Sequence, residues 1–359
     1  MSSTPHDRIK GRGAATNAEG RFAVTVREAA DDGWHRDDEP APHPATHVTE
    51  ERARSIISRN DSPDVGFSQS INPYRGCEHG CFYCFARPSH SYLQLSPGLD
   101  FETKLYAKTN AADLLRAELA KPGHVPSPFA LGVNTDAYQP SERRYRITRS
   151  LIEVLGECGH PFHIITKNAL VERDLDLLAP LAARNLVAVA FSITSLDNKL
   201  SSRMEPRASA PHARLRALKA CTDAGIPTSV MFAPCIPMVN DSEMEAVLEA
   251  ARDAGATRAG YVMVRLPHEL KDLFREWLDT HLPLRADHVQ SLVRQLRGGK
   301  DYDSRFGSRM RGEGPFAQLV AKRFQLAAAR LGFDAGRQEA LDETQFVPPR
   351  KPTRQGELF

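Results

Sequence analysis

Cys77-Glu78-His79-Gly80-Cys81-Phe82-Tyr83-Cys84 is the stretch that decides the reading of this chain. Its cysteines have the spacing C-x3-C-x2-C, with an aromatic residue just before the third. Three thiolates this close in sequence can hold an iron–sulfur cluster that ordinarily takes four. One iron is then left without a protein ligand, which suits an enzyme because a substrate or cosubstrate can bind there. Two plainer readings compete. A zinc site normally takes four ligands, often as two C-x2-C pairs; this chain has one such pair, with His79 as a candidate fourth ligand. A disulfide framework fits poorly, because the chain is long, has only six cysteines and shows no signal peptide ahead of them.

A chain of 359 residues with 41% hydrophobic content can build one large α/β domain with extensions. A formal charge of +2 makes no bulk electrostatic demand for a nucleic-acid partner. No apolar run approaches the about 20 residues that span a bilayer, so no membrane partner is expected. Reduced thiols and an oxygen-sensitive cluster fit a reducing cytoplasm. There is no solenoid-type repeat.

Residues 1 to about 48 read as a flexible arm, with Gly11-Arg12-Gly13, Asp37-Asp38-Glu39 and a Pro-rich run from Pro40 to Pro44. Phe22, Val24 and Trp34 are candidates for pinning it to the core. A short helix is expected from Glu50 to Ser58 with Thr49 as N-cap. Strand and helix then alternate. Expected strands are Phe67–Ile71, Phe129–Val133, His163–Thr166, Val187–Ile193, Thr228–Phe232 and Gly260–Val264, most of them apolar on both sides as buried parallel strands are. Helical stretches lie near 111–120, 142–157, 174–184, 212–224 and 242–254. Asn110, Ser141 and Asp241 are expected N-caps, Pro211 suits a first turn, and Gly225 and Gly255 are stops. Beyond the core, helices are expected at 287–297 and 315–331, around a Gly- and Arg-rich loop from Arg297 to Gly314. Pro348 to Phe359 reads as disordered.

Six strands alternating with helices argue for a parallel sheet, which can curl into a partial (β/α)6 barrel or stay open and doubly wound. The cysteine run tips the choice to the barrel, because it resembles the radical S-adenosylmethionine (radical SAM) family, whose usual fold this is. The expected class is therefore α/β: a partial (β/α)6 TIM-like barrel of radical SAM type. The flexible N-terminal arm takes 1–59, the radical SAM core 60–284, and a helical C-terminal extension with a disordered tail 285–359. The resemblance implies that Cys77, Cys81 and Cys84 bind a [4Fe-4S] cluster that chelates the amino and carboxylate groups of S-adenosyl-L-methionine (SAM). One electron, from a low-potential donor of flavodoxin or ferredoxin type, then cleaves SAM to methionine and a 5′-deoxyadenosyl radical.

Sites in a parallel barrel form at the carboxyl ends of strands. There Thr135 and Asp136 stand where the family holds the SAM amino group, often through a Gly-Gly-Glu sequence that this chain lacks; an Asx-type turn is the plainer role for Asp136. Lys167, Ser192, Thr194 and Ser195 are candidates for the SAM carboxylate and ribose. Arg207 could clamp a carboxylate or phosphate, against a surface ion pair with Glu205. Cys235 is a candidate hydrogen-atom donor, against a buried packing thiol. Phe82 or Tyr83 could shield the cluster, against ordinary packing.

The runs Cys84-Phe85-Ala86-Arg87-Pro88, Ser91-Tyr92-Leu93-Gln94 and Asn134-Thr135-Asp136 resemble the spore photoproduct lyase-like branch. The run Ser70 to Cys81 is similar to an uncharacterised bacterial group within it. Those lyases carry a hydrogen-donor cysteine just before the stretch matching Thr135-Asp136; here Val133 or Asn134 stands there, which puts that activity in doubt. Arg305, Arg309, Arg311, Lys322 and Arg323, interleaved with Tyr302, Phe306 and Phe316, form a candidate nucleic-acid patch, against a solvated helix face. The terminus Gln355-Gly356-Glu357-Leu358-Phe359 is similar to peptides that dock on the sliding clamp. The rival to the enzyme is a non-catalytic metal- or cluster-stabilised DNA-associated adaptor using that tail.

Overall fold

The computed structural model describes residues 9–23, 44–333 and 340–349. Its strands are β1 (His47–Glu51), β2 (Ile57–Arg59), β3 (Gln69–Ile71), β4 (Tyr74–Arg75), β5 (Lys104–Lys108), β6 (Phe129–Leu131), β7 (Phe162–Thr166), β8 (Val187–Ser192), β9 (Thr228–Cys235) and β10 (Arg258–Met263). Seven form one sheet in the order β10-β9-β8-β7-β6-β3-β2. All neighbours there are parallel except β2, which runs antiparallel to β3. Each parallel strand lies beside its predecessor in the chain, so the sheet winds one way with no switch point. That is a curling barrel rather than a doubly wound sheet. β10 and β2 are its free edges, so the barrel is partial.

Alternation along the strands separates two faces. Val187, Val189 and Phe191 of β8, with Phe162 and Ile164 of β7 and Val230 and Phe232 of β9, pack into the main core with helix residues such as Leu151, Leu155, Leu218 and Leu248. The other face carries Ile165, Ala188, Ala190, Ser229, Met231 and Gly260, all half-buried. Register puts Ile165 beside Ala190, Ala190 beside Ser229 and Met231 beside Gly260. Apart from Ile165 and Met231 these are small residues, unlike the bulky layers of a closed TIM barrel.

The helices at Ala111–Leu119, Leu175–Ala182, Pro211–Asp223 and Met244–Asp253 fall where the pattern puts them, and Gly225 and Gly255 have φ of +78° and +102°. Ala286–Gln295 and Gly314–Arg330 match the expected C-terminal helices. Several expectations need correcting. The segment 50–58 is not a helix; it spans the end of β1 and the start of β2. β1 pairs with β5, and β5 with β4, in a second small sheet. The stretch 142–157 breaks into Glu142–Tyr145 and Ile147–Glu157 at Arg146, whose φ is +50°. Asn110 and Ser141 give no side-chain cap: Asn110 bonds the backbone of Ala53 at 2.9 and 3.0 Å, and Ser141 bonds Glu78 at 3.1 Å. Asp241 opens a short 3-10 turn whose N-cap is Asn240.

Residues 9–23 are held on the core, where the sequence predicts a flexible arm. Gly13 and Ala14 donate their backbone N–H groups to Glu102 at 3.0 and 2.9 Å, Leu99 donates to Thr16 O at 3.1 Å, and Arg21 pairs with Glu269 at 3.1 Å. Phe22 stacks on Tyr92 at the surface, with ring centroids 5.0 Å apart. Val24, Trp34 and Gln355–Phe359 lie outside the described residues.

Candidate active site

The three cysteines sit on the loop that leaves β3 through β4, at the carboxyl rim of the parallel strands. Cys77 N–H donates to Phe101 O at 2.9 Å and Cys84 N–H to Cys81 O at 3.2 Å. Gly76 and Gly80 take φ of +73° and +68°, the left-handed region that favours glycine. A Cβ on Gly13 would lie 1.6 Å from Gly80 O, so the arm is in direct contact with this loop. Phe82 is fully buried against Trp277, centroids 3.9 Å apart and interplanar angle 2°, with Phe274 alongside. Phe82 is thus a packing residue that joins the loop to the helix Leu270–His281.

Arg87 and Glu102 fasten the loop from below. Both are fully buried and pair at 2.5 Å. Arg87 also donates to Cys81 O at 2.8 Å, Gly98 O at 2.9 Å and Pro97 O at 3.1 Å.

Cys77 and Cys81 are buried and Cys84 is half-buried. Burial pushes all three thiols up, and a bound metal centre would supply the positive charge that favours the thiolates. Among the described residues no group of three or more His, Cys, Asp or Glu converges on a single ion. Three thiols carried on one loop are a donor set that an iron–sulfur cluster can take, one sulfur to each of three irons. His79 is held by other partners. Its Nδ1 lies 3.5 Å from Asp136 and its Nε2 3.1 Å from Asn168 Nδ2, and burial lowers its pKa, so the ring is neutral with both nitrogens engaged.

Asp136 closes an Asx turn, accepting from Tyr138 N–H at 2.8 Å. It also accepts from Thr166 Oγ1 at 2.8 Å and Lys167 N–H at 2.7 Å. Its oxygens are committed within the chain, which favours the turn-forming role. Thr135 is buried, with Oγ1 donating to Tyr74 O at 3.2 Å. Lys167 does not extend into solvent: its Nζ bonds Ser192 Oγ and lies 3.4 Å from Ala233 O and 3.6 Å from Glu205. Thr194 Oγ1 is buried without a hydrogen-bond partner, and Ser195 bonds Glu243 at 2.7 Å.

The segment Met204–Arg207 docks on the cysteine loop. Phe82 N–H donates to Met204 O at 3.3 Å, and Arg207 N–H to His79 O at 3.1 Å. Arg207 pairs with Glu78 at 2.9 Å, not with Glu205. Glu205 is buried and accepts from Tyr83 Oη and Arg214. Burial pushes its pKa up, but Arg214 and Lys167 outweigh that and hold it down at about 2.

Cys235 is placed elsewhere. It is fully buried in the main core on the helix side of β9, where burial and then Asp241 push its thiol up. It packs in a different cluster from Cys77 and Cys81, which favours the packing reading. The basic stretch is largely neutralised: Arg305 pairs with Asp303 at 2.6 Å, Arg309 with Asp64 at 2.5 Å and Arg323 with Glu245 at 2.6 Å, while Arg311 lies over the Tyr261 ring at 3.9 Å. Among the described residues, no helix is long and apolar enough to cross a membrane.

Residues 71–251 match the family model described as the radical SAM superfamily. An uncharacterised protein of Mycobacterium tuberculosis is 38% identical over 231 residues, 64% of this chain and 68% of that protein. An uncharacterised protein of Methanocaldococcus jannaschii is 27% identical over 192 residues, 54% of this chain and 69% of that one. A mutant spore photoproduct lyase with bound AdoMet and dinucleoside spore photoproduct superposes with a TM-score of 0.55 at 15% identity, covering 79% of this chain and 78% of that one. At that identity the likeness is one of fold.

Proposed function

The chain belongs to the radical SAM superfamily, and from that premise we propose that Cys77, Cys81 and Cys84 hold the cluster while Lys167 and Ser192 at the strand ends bind SAM. It is an enzyme of that class, and its cofactors, a [4Fe-4S] cluster and SAM, supply reductive cleavage to methionine and a 5′-deoxyadenosyl radical. The observation that carries the site assignment is the inward turn of Lys167 onto Ser192, on the rim that bears the cysteine loop. An ammonium held there can donate charge-assisted hydrogen bonds to a carboxylate. Thr194 Oγ1, two residues after Ser192 and buried without a partner, is a second polar group at this strand end.

The proposed substrate is a nucleic acid or another large molecule. The lyase-like fold and the exposed Phe306 ring, a surface on which a base can stack, support this reading. Val133 and Asn134 speak against lyase chemistry of the spore photoproduct type, since neither side chain donates a hydrogen atom to a carbon radical. A low-potential flavodoxin or ferredoxin in the cytoplasm is the proposed donor. Anaerobic reconstitution followed by dithionite and SAM tests the reading. The expected product is 5′-deoxyadenosine; iron loading without it refutes the proposal.

A further inference from the structure

One buried carboxylate connects three parts of the site that are far apart in sequence. Glu205 accepts from Tyr83 on the cysteine loop and from Arg214 on the helix Pro211–Asp223, and it lies 3.6 Å from the ammonium of Lys167 at the end of β7. Arg214 in turn donates to Ser192 O at 2.9 Å and to Ser209 O at 2.7 Å. Ser209 N–H donates to Lys167 O at 3.2 Å. The carboxylate is therefore the one anion shared by two cations, Arg214 and Lys167, that both reach Ser192.

A lysine side chain has four rotatable carbons and a strongly hydrated head, and left alone it extends into water. Here the ammonium points at strand ends instead. Ser192 Oγ and Ala233 O accept from it, but neither carries charge. Glu205 is the anion that makes this buried position favourable for a cation. Arg207, the other basic group of this segment, is drawn away by Glu78 at 2.9 Å and does not compete for Glu205.

We infer that Glu205 is a positioning residue: it holds Lys167 in the orientation that receives the carboxylate of SAM. This rests on the proposed assignment of Lys167 to SAM. Partners that orient a metal's ligands typically cost about 10- to 100-fold when replaced, and a loss of that order is expected for Glu205 by the same logic. Glu205→Gln keeps the shape and the Tyr83 contact while removing the charge that restrains Lys167.

The test is a double-mutant cycle on SAM affinity, measured by equilibrium dialysis of reconstituted, unreduced protein, with iron content checked for each variant. Glu205→Gln is expected to weaken SAM about 10-fold, and Lys167→Met at least as much. The double variant is expected to bind like Lys167→Met alone, because the carboxylate acts through the lysine. Additive losses, or wild-type affinity in Glu205→Gln, overturn the inference. If Glu205→Gln does not fold, Glu205→Asp takes its place in the cycle, with the same two refuting results. If the wild-type protein, loaded with iron, does not bind SAM, the assignment of the site itself falls; binding by the wild type with an additive cycle overturns only the role of Glu205.

Discussion

Replacing Arg87 by Met should do more damage than any other single change near the cysteine loop. Arg87 and Glu102 are both without solvent exposure. In the variant Glu102 keeps the N–H groups of Gly13 and Ala14 but loses its buried salt-bridge partner. The carbonyls of Cys81, Pro97 and Gly98 lose their shared donor. Breaking a buried pair by removing one partner costs about 3–5 kcal/mol. At about 2 °C per kcal/mol for a chain of this size, that is a fall in Tm of roughly 6–10 °C. Differential scanning calorimetry of anaerobically prepared wild type and variant reads it directly. Iron should also leave the variant faster under chelator, because Cys81 O is no longer anchored. A Tm within about 2 °C of the wild type, with unchanged iron retention, would refute the view that this pair holds the loop.

Three further outcomes are expected. Alanine at Cys77, Cys81 or Cys84 should abolish iron–sulfur absorption and 5′-deoxyadenosine formation, whereas Cys235→Ala should retain iron; loss of iron in Cys235→Ala would return that residue to the site. His160, stacked on Phe129 at 4.2 Å, has its pKa lowered to about 4, chiefly by burial. The unfolded chain therefore binds the proton first, and stability should fall as pH drops from about 6.5 toward 4. His160→Asn should flatten the curve of Tm against pH in that window, and an unchanged slope would assign the acid sensitivity elsewhere. Gly13→Ala brings a methyl onto Gly80 O, so either the arm or the cysteine loop must shift; faster iron loss to chelator is expected, and wild-type kinetics would show that the contact is dispensable.

The parallel core was legible because its strands are short apolar runs bounded by turns, and burial on both faces leaves that mark in sequence. The second sheet was not. β1 reads His-Val-Thr-Glu-Glu, largely exposed and polar, with a threonine placed like an N-cap, and only pairing with β5, far along the chain, makes it a strand. The helix Leu270–His281 was missed although its apolar spacing is helical, since Trp277 and Phe274 serve the aromatic stack on Phe82 rather than the barrel.

The site divides in the same way. Three cysteines in one loop announce themselves by spacing. Glu205 does not, because its partners Tyr83, Lys167 and Arg214 come from three separate segments. The local signal was the charged pair Glu205 and Arg207 flanking Pro206, which suggested a surface ion pair between them; instead each turns to a different residue. Arg87 likewise gave no hint of its burial beyond its position just after the loop. The Asx turn of Asp136 was legible because it is local chemistry; the tertiary donors Thr166 and Lys167 were not.

The central claim is that three sulfurs hold a cluster with one iron open to SAM. Electron paramagnetic resonance of the anaerobically reduced protein, recorded before and after SAM is added, addresses that iron without needing a substrate. The account predicts a reduced [4Fe-4S] signal whose shape changes when SAM binds. A signal identical in both spectra, or none at full iron loading, would contradict it.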